Sequence, residues 1–250
     1  MLDIRITGKL DWRLIMRKFL LLSCVFLFAA QIADCQTVIY SQEEFKLKAT
    51  ICKPVGSGPF PVVIYHHGGV GNIVGGAPEE TCNALADKGF VGFSPIRRST
   101  KSLKGHMDDI MAAVAYIKTL DYVDQNRIGI MGFSRGALLA YQAISRQNDY
   151  KAAVIMGPAM GRDGKALKGK LASNVNIPVL LLVAQNDTGS RTTMGMNTLQ
   201  GTKKLHKAFK KKDKEARLII YPSYQSDGHT LFFELGDYFK DVTTFFNKHL

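Results

Sequence analysis

Short apolar runs alternate with segments of helical spacing along most of this 250-residue chain, and this alternation constrains the possible folds more than any other feature. The apolar runs predict strands at residues 45–52, 61–66, 90–93, 127–132, 152–156, 179–184 and 217–221. The helical patterns predict helices at residues 78–88, 107–120, 135–146 and 232–250. Such alternation indicates a mostly parallel sheet with crossover helices on its faces. The predicted fold class is therefore α/β.

The beginning of the chain has the pattern of a secretory signal peptide. Arg17 and Lys18 precede an apolar run at residues 19–30, and the small residues Ala33 and Cys35 follow it. The run is shorter than the about 20 apolar residues that cross a bilayer as a helix. We therefore predict cleavage after Cys35.

This cleavage defines the predicted domain organisation. Residues 1–35 form an N-terminal extension and signal peptide, and residues 36–250 form a single domain of ordinary size. The predicted location is secreted or periplasmic, with membrane contact only through the signal peptide. A lipid attached to Cys35 and an uncleaved anchor helix are the alternatives.

Charge and cysteine content say less about function. The chain carries a formal net charge of +12, with many lysines between residues 203 and 217, where Leu205 and Phe209 are spaced as on one helix face. No nucleic-acid motif accompanies these lysines, so no nucleic-acid partner is predicted. After the predicted cleavage only Cys52 and Cys82 remain, and either a disulfide between them or two buried thiols fits the sequence.

The strongest candidate for a catalytic residue is Ser134. Residues 132–136 read Gly-Phe-Ser-Arg-Gly and stand between a predicted buried strand and a predicted helix. A serine on such a sharp turn projects its hydroxyl at the sheet edge, and the backbone N–H of Arg135 can donate to a developing oxyanion. A second oxyanion donor is expected from Gly69, or Val70, in the glycine-containing loop that follows the strand at 61–66.

A catalytic serine requires a base, and a fold with this turn places the acid after the serine and the histidine last. His229 stands in a turn between the last predicted strand and the last predicted helix, unlike His206 in the lysine-rich segment or His249 at the chain end. Asp187 directly follows the strand predicted at 179–184. We predict a triad of Ser134, His229 and Asp187.

These segments resemble known enzymes. Residues 124–136, the acid turn at 183–187 and the histidine loop at 226–229 are similar to those of dienelactone-hydrolase-like and prolyl-oligopeptidase-like enzymes, which share the α/β-hydrolase fold. The resemblance covers residues 45–250 and implies hydrolysis through an acyl-enzyme. Dienelactone hydrolases proper carry cysteine as nucleophile, so lactone specificity does not carry over. Prolyl oligopeptidases add a large propeller domain that this chain has no room for.

The predicted function is cleavage of a carboxylic ester or a related acyl bond by a secreted serine hydrolase. Its substrate is expected to be a small ester or a peptide-like molecule, with no cofactor and no metal. A peptidase or acyltransferase with the same triad, or an inert binding protein on this fold, is the alternative. Arg97 and Arg98 follow the strand at 90–93, and we list them as candidate ligands for a substrate carboxylate beside the alternative of a structural role.

Overall fold

A computed structural model describes residues 33–41, 45–161 and 165–250. The strands are β1 (Asp34–Ser41), β2 (Leu47–Lys53), β3 (Phe60–His66), β4 (Val91–Pro95), β5 (Val123–Phe133), β6 (Ala152–Met156), β7 (Val179–Ala184) and β8 (Ala216–Tyr221). The helices are α1 (Pro78–Ala86), α2 (His106–Ile117), α3 (Arg135–Ile144), α4 (Thr198–Lys211) and α5 (Tyr238–His249). Short 3₁₀ helices occupy Gly169–Asn174 and Gly228–Phe232.

These strands form one sheet in the order β1-β2-β4-β3-β5-β6-β7-β8. β2 is antiparallel to both of its neighbours, whereas the pairs from β4 through β3 to β8 are parallel. Every residue of β6 and β7 is buried. Strands that are covered on both faces read as continuous apolar runs, which is why the sequence showed them clearly. The predicted mostly parallel sheet is confirmed.

Helices cover both faces of the sheet. α2, α3 and α4 pack on one face, where Ile110, Leu139 and Phe209 belong to one buried cluster. α1 and α5 pack on the other face, where Leu85 and Phe246 belong to a second cluster. Each helix thus buries an apolar stripe against the sheet, as amphipathic helical spacing predicts.

The parallel strands end together at one edge of the sheet. His66 of β3 pairs with Gly132 of β5, and Phe133 of β5 pairs with Met156 of β6, which in turn pairs with Leu182 of β7. The loops that follow these strands therefore start side by side. In open α/β sheets this carboxyl edge is where ligands bind.

The structure differs from the predicted elements near both ends. The sequence did not predict β1, an edge strand that is mostly exposed and therefore has a weak apolar pattern. The last helix begins at Tyr238 and not at residue 232. Gly228–Phe232 forms a 3₁₀ helix, and Gly236, a residue type that disfavours helix interiors, lies between the two helices.

The cysteines are paired differently from both readings of the sequence. Cys35 of β1 lies opposite Cys52 of β2 and is joined to it by a disulfide, and Cys82 is a buried free thiol. β1 begins at Asp34, so residues 34 and 35 belong to the folded unit and not to a segment that ends at residue 35. The domain boundary in the structure therefore precedes the predicted boundary at 35/36.

The apolar run at residues 19–30 lies outside the described residues, as does most of the segment predicted as a signal peptide. Among the helices that the structure describes, none has the length and the apolar composition needed to cross a membrane.

Candidate active site

Ser134 occupies the turn between β5 and α3. Its backbone has φ 53° and ψ −114°, a conformation that residues other than glycine rarely adopt. Neighbouring backbone fixes it there: the Ser134 N–H donates to the Met156 carbonyl at 2.9 Å, and the Ser134 carbonyl accepts from the N–H of Leu138 at 3.1 Å and of Ala159 at 2.9 Å. The serine is thus held on a strained turn at the carboxyl edge of the sheet, where its side chain is half-buried.

The two glycines around Ser134 allow α3 to approach the sheet closely. A Cβ atom on Gly136 would overlap the carbonyl oxygen of His66 in β3. A Cβ atom on Gly132 would overlap the carbonyl oxygen of Gly136. The spacing of glycines two residues either side of the serine is therefore a packing requirement of this turn.

His229 and Asp187 form a buried pair. His229 Nδ1 lies 2.8 Å from Asp187 Oδ2, and the two side chains are 3% and 0% exposed. Asp187 follows β7, and its carbonyl accepts from the N–H of Leu199 at 2.8 Å. Because an ionised carboxylate can only accept, the imidazole donates its Nδ1–H and leaves Nε2 free as an acceptor.

This pair lies beside the residues that carry Ser134. The ring centroids of His229 and Phe133 are 4.7 Å apart. Gly157 directly follows β6, and a Cβ atom there would lie 3.3 Å from both Asp187 Oδ2 and His229 Nδ1, so its lack of a side chain leaves room for the pair. Among the described residues, Ser134 Oγ makes no hydrogen bond to His229. Such bonds are often long in free enzymes and shorten when substrate binds.

Asp227, which is closer to His229 in sequence, has a different role in the structure. One carboxylate oxygen accepts from the His229 backbone N–H at 3.0 Å, and the other accepts from the Thr192 hydroxyl at 2.5 Å. Partial burial acts to raise the pKa of Asp227, but the hydrogen bonds outweigh it and hold that pKa below its usual value. Asp227 therefore fixes the histidine loop, whereas Asp187 contacts the ring.

The histidines at the end of β3 differ from His229. Burial, together with the charge of Arg97, lowers the pKa of both His66 and His67 to about 3, so both are neutral. His67 Nδ1 donates to the Gly68 carbonyl at 2.6 Å. Both histidines are thus buried and neutral, which fits a structural role. In the described part of the chain, no group of three or more His, Cys, Asp or Glu side chains could hold a metal ion.

The predicted oxyanion donors face one cavity. It has a volume of about 550 Å³, and it is lined by Gly69, Val70, Lys101, Leu103, Ser134, Arg135, Leu138, Ala159, Gly161, Thr192, Met194 and Met196. Arg135 provides the first N–H of α3, which has no partner within the helix. In the described residues, the N–H groups of Gly69 and Val70 donate to no backbone acceptor. These amides are therefore available to a ligand near Ser134.

Most of the described cavity lining is apolar, and its charged members are Lys101 and Arg135. Sequence reasoning missed the segment that contributes Thr192, Met194 and Met196. This segment is an irregular loop between β7 and α4 with no periodic pattern and no motif that would have signalled it.

In the structure, the guanidinium groups of Arg97 and Arg98, the two candidate ligands for a substrate carboxylate, contact other residues of the protein. The Arg97 guanidinium donates to the carbonyls of His67, Gly68 and Gly69. Arg98 donates from Nε to Asp109 at 2.8 Å and pairs with the same carboxylate through Nη2 at 2.7 Å. Neither arginine lines the cavity. Both guanidinium groups are therefore occupied by acceptors of the protein itself.

The chain is similar to several known proteins. The model of the dienelactone hydrolase family matches residues 96–235, which is more than half of the chain. The sequence is 30% identical to mouse acyl-coenzyme A thioesterase 3 over 132 residues, or 51% of this chain and 30% of that protein. The chain thus spans less than a third of the thioesterase's length. It is 25% identical over 170 residues to an Aquifex aeolicus protein provisionally named carboxymethylenebutenolidase, covering 61% of this chain and 71% of that protein.

Solved structures share the fold. The hyperthermophilic esterase from Pyrobaculum calidifontis matches with a TM-score of 0.68 and 17% identity, over 96% of this chain and 93% of the esterase. An acylaminoacyl peptidase from Pyrococcus horikoshii matches with a TM-score of 0.70 and 16% identity, over 88% of this chain and 42% of the peptidase. The predicted α/β-hydrolase fold is confirmed.

Proposed function

Because this chain belongs to the dienelactone hydrolase family, we propose that it is a serine hydrolase that cleaves a carboxylic ester through Ser134, His229 and Asp187. One observation carries the proposal. Ser134 occupies a strained turn and lines a cavity, and a buried aspartate–histidine pair lies beside that turn. An inert binding protein has no need of this combination, since strained backbone and buried polar pairs both cost stability.

The proposed reaction follows from these positions. His229 Nε2 takes the proton of the Ser134 hydroxyl while Oγ attacks the ester carbonyl. The N–H groups of Arg135, Gly69 and Val70 stabilise the resulting oxyanion. The tetrahedral intermediate collapses as His229 returns its proton to the leaving alcohol, which leaves an acyl group on Ser134. A water molecule repeats the sequence and releases the carboxylic acid. Asp187 orients the imidazole and stabilises its charged form.

The lining of the cavity supports an ester with an apolar acyl group. Leu103, Leu138 and Met196 provide apolar surface near Ser134. The charged residues among the described lining, Lys101 and Arg135, are both cations, which disfavour a substrate with a free ammonium group. This argues against an aminopeptidase that recognises a charged N-terminus. Other peptidases and acyltransferases use the same triad and stay as alternatives. The names of the relatives also make thioesters worth testing.

A substrate screen tests the proposal. Purified protein is assayed with p-nitrophenyl esters of increasing acyl length, an acyl thioester, a lactone and an amino-acid p-nitroanilide, each beside the Ser134→Ala variant. We expect turnover of neutral short-to-medium acyl esters that depends on Ser134, and little turnover of the p-nitroanilide. Equal rates for wild type and Ser134→Ala would overturn the proposal, and faster cleavage of the p-nitroanilide would favour the peptidase alternative.

We also propose that the protein is exported, as the pattern in residues 17–35 indicates. The disulfide between Cys35 and Cys52 supports this, because disulfides persist mainly in oxidising compartments. It also favours cleavage upstream of Cys35, so that β1 keeps its first residues. N-terminal sequencing of exported protein tests both points. A terminus at Gln36 would favour cleavage after Cys35, and an exported form that keeps residues 17–35 would contradict processing altogether.

A further inference from the structure

Arg97 is a buried cation whose hydrogen bonds, within the described part of the chain, all go to backbone carbonyls. Its side chain lies just after β4, and the residue is 9% exposed. Nη1 donates to the His67 carbonyl at 2.5 Å, and Nη2 donates to the Gly68 carbonyl at 3.0 Å and the Gly69 carbonyl at 2.8 Å. No carboxylate forms a salt bridge with it among the described residues.

Burying such a charge is unfavourable. Burial lowers the pKa of Arg97 to about 10, and the positive charge of Arg135 adds to this effect. Buried charges normally have a counter-ion, but the nearby Asp109 is paired with Arg98. The three carbonyl dipoles therefore provide the compensation. A residue kept at this cost is a candidate for a functional role in what it holds.

What Arg97 holds is the direction of two amides. The Gly68 carbonyl also accepts from the Gly75 N–H at 3.2 Å, whereas the Gly69 carbonyl accepts from Arg97 alone among the described residues. In a trans peptide the C=O and the N–H of the same plane point in opposite directions. When the carbonyls of Gly68 and Gly69 point at Arg97, the N–H groups of Gly69 and Val70 must point away from it. Both residues line the cavity at Ser134, and neither N–H donates to a backbone acceptor in the described chain.

We propose that Arg97 is a positioning residue that aims the N–H groups of Gly69 and Val70 at the oxyanion formed on attack by Ser134. This inference rests on the proposed hydrolase function. The arginine touches no substrate itself. It fixes the orientation of the loop before the reaction, so that no reorganisation is needed when charge develops.

The expected signature is a loss of transition-state stabilisation with little change in ground-state binding. Losing one oxyanion donor costs about 10²–10³ in rate. We therefore expect Arg97→Met to lower kcat by about 10²-fold or more, with KM changed by less than about threefold. Arg97→Lys keeps the charge but cannot span three carbonyls, and roughly a tenfold loss is expected.

Arg98→Met is the matched control. It removes an adjacent arginine whose partner is Asp109 and which makes no hydrogen bond to residues 67–69. Ester kinetics, melting temperature and the inhibition constant of a trifluoromethyl ketone, which binds as a tetrahedral oxyanion, are measured for all variants. We expect the ketone affinity to fall in parallel with kcat/KM for both Arg97 variants and to stay unchanged for Arg98→Met. A lower melting temperature with unchanged ketone affinity would show a purely structural role and overturn the proposal.

The amide proton and nitrogen chemical shifts of residues 69 and 70 separate this inference from the proposed function, because these shifts depend on the orientation of the peptide planes and on the hydrogen bonds of their carbonyls. We expect both amide signals to move in Arg97→Lys and to keep their wild-type positions in Arg98→Met. If wild type lacks ester turnover but shows this pattern of shifts, the proposed function fails while the positioning contact stands. If wild type is active and the shifts are the same in all variants, the positioning role is refuted.

Discussion

Replacing Asp187 with asparagine tests which acid orients His229. Asp187 Oδ2 is 2.8 Å from Nδ1 in a pair that is almost fully buried, so water cannot substitute for the lost carboxylate. If the new amide nitrogen faces the ring, it donates to Nδ1 and forces the proton onto Nε2, where it blocks proton transfer from Ser134. If the amide oxygen faces the ring, the tautomer survives but the charged imidazole loses its counter-ion.

Either orientation lowers turnover, and we expect a loss of about 10³–10⁴-fold in kcat. The fold should persist, because the contact of Asp187 with the Leu199 N–H uses its backbone carbonyl and is unaffected by the substitution. The matched variant is Asp227→Asn. Its retained oxygen can still accept from the His229 N–H or from Thr192, so the expected loss is about tenfold or less.

Ester turnover and thermal melting are measured for the two variants side by side. The reasoning is refuted if Asp227→Asn is the more damaging change while its melting temperature stays at the wild-type value. In that case Asp227 and not Asp187 orients the ring.

Three further changes test separate features. Ser134→Gly relieves backbone strain of about 1–3 kcal/mol at a cost of roughly 0.5–1 kcal/mol in chain entropy. We therefore expect a higher melting temperature and no ester turnover, and a lower melting temperature would argue against strain at this residue. Because burial lowers the folded-state pKa of His66 and His67 to about 3, the stability that they contribute is present above their unfolded pKa near 6.5 and is lost as pH falls towards 3. Urea unfolding should show no loss from these histidines between pH 8 and about pH 6.5, and below that a decline in the free energy of unfolding of about 1.4 kcal/mol per pH unit for each histidine. A free energy of unfolding that does not change with pH in this lower range would contradict the burial. Cys35→Ser removes a disulfide with a sequence separation of 17 and should lower the free energy of unfolding by about 3 kcal/mol. Reduced wild type should show the same free energy of unfolding as the variant, and an unchanged free energy would show that the bond is absent.

The parts of the fold that the sequence predicted are those with strong local patterns. β6 and β7 are buried on both faces, so their apolar runs were unmistakable and their bounds matched the prediction. β1 escaped detection because an exposed edge strand needs few apolar residues. The disulfide between Cys35 of β1 and Cys52 of β2 was not predicted either, because it depends on a strand pairing that the sequence alone does not reveal.

The same distinction applies to the site. The turn around Ser134 is a local motif, and the chain order of serine, acid and histidine placed Asp187 and His229 at neighbouring strand ends, where the structure pairs them. The contacts of Arg97 could not be read in this way. Its partners lie 28 to 30 residues earlier in the chain, and a carbonyl acceptor has no sequence signature. From sequence, the position of Arg97 after a strand was therefore compatible with a substrate ligand as well as with a structural role.

Labelling with a fluorophosphonate tests the central claim most directly, because only an activated serine reacts readily with it. Folded protein is treated with the probe, digested, and mapped by mass spectrometry beside Ser134→Ala and heat-denatured controls. We predict one adduct, on the peptide that contains Ser134, which is absent from both controls and forms more slowly in Asp187→Asn. An adduct on another serine, or none in protein shown by circular dichroism to be folded, would contradict the assignment of Ser134 as nucleophile.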